Sequence, residues 1–143
     1  STIWLPNSSS KGAFKMLHEI LRQYLDDIES KIRRIQNAYV ERYEEEILAP
    51  DRVNLRIRIR FSEGCLLELN EAFIAEGEGV KHLDYRYHLQ DEQNRLVFRY
   101  DSTPHFPELN TFPHHKHLAD RVIATEKPSI LDVIEEAERK LQP

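Results

Sequence analysis

Nine residues, Val53 to Phe61, alternate apolar and polar without a break, and this VNLRIRIRF run constrains the fold more than any other stretch. In an extended chain successive side chains point to opposite faces. Val53, Leu55, Ile57, Ile59 and Phe61 therefore share one face, and Asn54, Arg56, Arg58 and Arg60 the other. One face must be buried while the other stays wet, as in a half-exposed antiparallel strand. The chain downstream keeps the same period. Ser62-Glu63-Gly64 has the composition of a hairpin turn, Cys65 to about Ala75 reads as a second strand, and Gly77 and Gly79 bracket another turn. Val80 to Asp91 is the third strand, with Leu83, Tyr85, Tyr87 and Leu89 opposed to His82, Asp84, Arg86, His88 and Gln90. After the turn Asp91-Glu92-Gln93-Asn94, Arg95 to Asp101 is the fourth. Four consecutive strands with short turns predict an antiparallel meander.

Upstream the period is helical. From Ala13 to about Leu48 there is neither proline nor glycine, and apolar residues recur in steps of three and four through Leu17, Leu21, Tyr24, Ile28, Ile35 and Tyr39. The spacing predicts one long helix over 13–49, or two joined near Ser30 or Asn37, ended by Pro50. Residues 1–12, with Ser8-Ser9-Ser10 and Gly12, read as a flexible tail. Pro104, Pro107 and Pro113 forbid regular structure across 102–113. Leu118 to Ala124 suits a short extended segment. Lys127-Pro128-Ser129 opens a final helix with Ile130, Leu131, Val133, Ile134, Ala137 and Leu141 on its apolar side. The predicted class is α+β: an antiparallel sheet of four to five strands, a long N-terminal helical segment and a C-terminal helix, in one domain over 13–143. A helix of some thirty-five residues would span about 50 Å, against roughly 20 Å for four strands. Its overhanging stripe would need cover, which predicts contact with a second copy or another protein.

The 143 residues have room for one core. No run is long enough to cross a membrane as a helix, and the STIWLPNSSSKG start lacks the pattern of a signal peptide. One cysteine, Cys65, fits a reducing compartment, so the expected location is the cytoplasm. The net charge of −5 argues against a protein coated for nucleic acid, but charge is segregated. Arg52, Arg56, Arg58 and Arg60 face only Asp51 within 49–60, whereas 61–84 hold six carboxylates against Lys81 alone. A locally basic face is compatible with that distribution.

Five of the seven histidines, His88, His105, His114, His115 and His117, fall within thirty residues. In Pro113-His114-His115-Lys116-His117 an extended chain puts His115 and His117 on one face and His114 and Lys116 on the other. Such a pair can share a metal, with His105, Asp101 or Glu108 as a third ligand. The same residues suit acid–base work on a phosphodiester. His105, His115 or His117 would then move the proton, Arg99 and Lys116 hold the phosphate, and Asp101 or Tyr87 orient the imidazole. A purely structural role also fits, with imidazoles bonding backbone carbonyls freed by the prolines and the protein acting only by docking. Cys65 has no histidine motif around it and receives no catalytic role.

Several segments together resemble the TumE-like family of small bacterial and archaeal proteins. They are Tyr85-Arg86-Tyr87-His88, Phe98-Arg99-Tyr100-Asp101, Pro104-His105-Phe106-Pro107-Glu108 and Thr111-Phe112-Pro113-His114-His115-Lys116-His117, followed by KPSILDVIEEAE. The resemblance covers about 51–138, with 13–49 as a looser helical lead-in. It implies the toxin component of a two-gene toxin–antitoxin module, a cognate antitoxin partner, and an RNA-cleaving or translation-blocking activity. With no acidic cluster for two magnesium ions, metal-independent RNA cleavage without a cofactor suits these side chains better than two-metal chemistry.

Overall fold

The computed structural model describes residues 17–141; the expected tail over 1–12 lies outside them. The element order is α1 (Glu19–Arg33), β1 (Ala38–Ala49), β2 (Arg52–Phe61), β3 (Leu66–Glu76), β4 (Gly79–Gln90), β5 (Leu96–Asp101), β6 (His115–His117), β7 (Val122–Ala124) and α2 (Ile130–Lys140). The seven strands form one antiparallel sheet in sequence order. The predicted α+β class and antiparallel meander therefore stand, with seven strands in place of four or five.

The long N-terminal helix is a correction. α1 is 15 residues, about 22 Å at helical rise. Its buried residues Leu21, Leu25, Ile28 and Ile32 all lie against the sheet. The turn falls at Asn37, which adopts φ 59, and the chain leaves it as a strand. Two irregularities in the β1–β2 register, at Val40/Arg42 and Ile47/Ala49, break strict alternation in β1. The spacing Tyr39, Tyr43, Ile47 imitates a helix because steps of four fit one helical face as well as one strand face, although Tyr39, before the first irregularity, is exposed and Tyr43 is buried. Pairing with the arginine-bearing β2 overrides the helix preference of the glutamate run: Arg58 and Arg60 both bond Glu41. With so short a helix no stripe overhangs the sheet among the described residues, and a dimer through it is not required.

Both helices pack on one face, hereafter the inner face, and touch through Lys31 and Glu135 at 3.3 Å. Val53, Leu55, Ile57 and Ile59 on β2 are essentially unexposed there, as their alternation requires. Ser129 caps α2 by accepting from the Asp132 backbone N–H at 3.1 Å. One β4 assignment changes. A bulge opposite Ala72/Phe73 makes Leu83 the extra residue, so His82 pairs Phe73 on the inner face and Leu83 is 43% exposed. The opposite, outer face carries no helix among the described residues.

Candidate functional site

Register places the residues of interest. Across the outer face one row runs Arg56, Asn70, Arg86, Asp101, His115, and the next runs Arg58, Glu68, His88, Arg99, His117. β6 forms because His115-Lys116-His117 is the first proline-free stretch after the loop. It pairs Asp101 with His115 and Arg99 with His117. The loop from Ser102 turns back over this end, and the Phe106 ring lies edge-on to His115 at 4.9 Å and to His117 at 5.8 Å.

Three side chains converge beneath that ring. His115 Nε2 is 2.8 Å from Asp101 Oδ1 and 3.1 Å from His117 Nε2, while Asp101 Oδ2 lies 3.8 Å from His117 Nε2. The other nitrogen of His115, Nδ1, is 2.9 Å from the Pro113 carbonyl. A carbonyl can only accept, so Nδ1 carries a proton and Nε2 is the atom turned to the cluster. Asp101 Oδ1 also accepts the Thr103 backbone N–H at 3.0 Å. His115 and Asp101 are buried, and His117 is partly open. Burial pushes His117 below the usual histidine range, opposed by Asp101 and reinforced by His115 and Arg99.

Cations flank the cluster. Arg99 Nε donates to His88 Nδ1 at 3.2 Å, and His88 in turn bonds Gln90 Oε1 at 2.9 Å. Burial, with Arg99 and Arg86 nearby, lowers His88. Among the described residues, Arg56, Arg86 and Arg99 form no ion pair, whereas Arg42, Arg58 and Arg60 are tied to Glu44, Glu41 and Glu68. A depression of about 160 Å³ lies along the unpaired set, lined by Asn54, Arg56, Asn70, Asp84 and Arg86 among others.

Of the residues singled out from the sequence, Asp101, Arg99, His115 and His117 come together on the outer face. Lys116 and Tyr87 do not. Lys116 points to the inner face, 2.8 Å from Glu136 and 4.7 Å from the Tyr100 ring centroid. Burial works against its charge, but Glu136 and Tyr100 outweigh it and raise its pKa. Tyr87 is fully buried and donates to Glu71. Holding a phosphate between Arg99 and Lys116 is thus excluded by β6 itself, whose neighbouring residues face opposite ways. His105 and Glu108 are exposed and lie outside the converging set, so Asp101 is the third member. Arg86 and Phe106 were missed. Counting back from the turn at 91–94 sets Arg86 opposite Arg99, and only the observed register, with its shift at Leu89/Gln90, brings it opposite Asp101; nothing local marks Phe106.

A family model described as Toxin TumE matches residues 21–142. The chain belongs to that family. The expected kinship therefore holds, and over more of the chain than 51–138, because α1 and β1 are part of the match. No curated protein matches the chain, and no solved structure does. Among the described residues no helix is long and apolar enough to cross a membrane.

Proposed function

We propose that this TumE family member is a cytoplasmic toxin, held in check by a cognate antitoxin protein, that cleaves RNA at the β5–β6 end of its outer face. The observation that carries this reading is one juxtaposition. Two imidazoles and a carboxylate converge at that end, and the arginines beside them lack carboxylate partners. Cleavage of RNA asks for little more. The 2′-oxygen attacks the adjacent phosphorus as its proton is taken up at the cluster, the bond to the 5′-oxygen breaks, and that oxygen leaves protonated. Arg99 and Arg86 offset the charge on the pentavalent phosphate. The product would be a 2′,3′-cyclic phosphate.

Purified protein incubated with labelled single-stranded RNA tests this. Cleavage should fall about a hundredfold or more in His117→Ala. In Arg86→Ala or Arg99→Ala, RNA binding should weaken on every sequence alike, and its salt dependence should drop by about one counterion. Intact RNA after prolonged incubation with folded protein would exclude the reading.

A second reading keeps support from one observation. His115 is buried and bonded through both ring nitrogens, to the Pro113 carbonyl and to Asp101. That suits a structural tie closing the proline loop in a protein that acts only by docking.

A further inference from the structure

We propose that Asp101, His115 and His117 form a binding site for one divalent first-row transition ion, with zinc as its first candidate. The inference deepens the reading above, whose site it uses, but it can be tested without RNA.

His115 gives its Nδ1 proton to the Pro113 carbonyl, so in the neutral ring Nε2 is a lone pair. It faces the Asp101 carboxylate at 2.8 Å and the second imidazole at 3.1 Å, through that ring's own Nε2. A lone pair and a carboxylate oxygen this close repel one another unless positive charge lies between them. One proton satisfies that pair alone; a divalent ion would satisfy the pair and the second imidazole as well.

The spacing fits an ion. Ligand atoms each about 2.0–2.2 Å from a metal stand roughly 3 to 3.5 Å apart at tetrahedral or octahedral angles. Around His115 Nε2 the separations, 2.8 Å to Asp101 Oδ1 and 3.1 Å to His117 Nε2, lie at that range, and the second Asp101 oxygen, Oδ2, lies just beyond it at 3.8 Å from His117 Nε2. The ligands are already held by groups behind them. The carbonyl bond fixes the tautomer and tilt of His115, and the Thr103 N–H steadies Asp101 Oδ1. Metal-binding histidines and carboxylates are ordinarily held by such bonds. Two imidazoles and one carboxylate suit zinc or a neighbouring transition ion better than magnesium or calcium, which prefer oxygen throughout. Three protein ligands leave coordination positions for water, as catalytic rather than structural sites do. Held there, the ion would lower the pKa of a bound water and so supply hydroxide as a base near neutral pH, and Arg99 and Arg86 would keep their places on the phosphate.

Chelator-stripped full-length protein should be titrated with zinc by calorimetry, and with cobalt(II) while visible absorption reports imidazole ligation. One ion per chain is expected. His117→Ala, at a partly open position, should weaken binding by about a hundredfold or more. Asp101→Asn should also weaken it, and serves if the first variant does not fold. His114→Ala should bind as the native chain does, because His114 faces Tyr85 on the inner side. No saturable binding of either ion, or equal binding by native protein and His117→Ala, overturns the site. Loss of binding in His114→Ala overturns it too. A chain that binds zinc but cuts no RNA keeps this inference and removes only the RNA reading. A chain that cuts RNA in chelator and binds no ion does the reverse.

Discussion

The described residues contain two carboxylate–histidine pairs with a buried carboxylate, one on each face of the sheet, and they are finished differently. On the inner face Glu71 lies 3.2 Å from His82 Nε2 and accepts from the hydroxyls of Tyr24, at 2.7 Å, and Tyr87. Helix α1 supplies Tyr24 and so roofs the pair. Burial alone would raise Glu71, but the bonds from His82, Tyr87 and Tyr24 outweigh it and hold the carboxyl below its usual range. On the outer face Asp101 bonds His115 and one backbone N–H, a second imidazole stands by, and the only roof is the edge of Phe106. The same chemistry, sealed by hydroxyls under a helix, becomes structure. Left with converging lone pairs beside unpaired arginines, it becomes a candidate site.

The contrast breaks first at Glu71. Glu71→Ala strands the Tyr87 hydroxyl under α1 and leaves Tyr24 and His82 only each other, 3.0 Å apart, and should cost about 3–5 kcal/mol in chemical denaturation. A loss below about 1 kcal/mol would mean that the inner pair ties nothing. His115→Ala should cost less, about 2–3 kcal/mol, since it removes the Pro113 tie and one partner of a buried carboxylate. If its cost matches that of Glu71→Ala and His117→Ala follows suit, both pairs are structural and the docking reading gains.

A third carboxylate, this one on the inner face, sharpens the comparison, because it has no cation. Glu45 on β1 meets Glu29 of α1, with the Tyr43 hydroxyl between them, and its Oε2 is buried without a partner. Burial, then the bond shared with Glu29, pushes it up to about 8. A carboxyl whose pKa is higher folded than unfolded favours the protonated native state, so it subtracts stability as pH rises from about 4.5 to about 8. Urea unfolding at about pH 5 and about pH 8.5 should therefore show the native chain losing stability over a range where Glu45→Gln loses less. Identical slopes would remove Glu45 as the cause. The smallest effect belongs to His117→Ala. Its thermal stability should stay within about 1 kcal/mol of native, whatever happens to zinc or RNA.

Much of this architecture is written in local pattern. The VNLRIRIRF alternation, the turns at 62–64 and 77–79, and the proline-bounded loop each determine their own geometry through short-range sterics and a period of two. HHKH determines that His115 and His117 share a face, because neighbours along a strand cannot. What local pattern could not decide was whatever depends on a partner strand. Residues 38–49 carry helical spacing and helix-favouring glutamates, yet they become β1 because β2 offers an arginine row and a buried stripe to pair with. The β4 bulge, which brings His82 inward and turns Leu83 out, leaves no mark in the sequence. Nor does the sequence say that Asp101, fourteen residues from His115, completes the cluster in place of His105 or Glu108. The reason is one of range: alternation assigns faces within a strand, but register and bulges assign neighbours between strands, and the site is made of neighbours between strands.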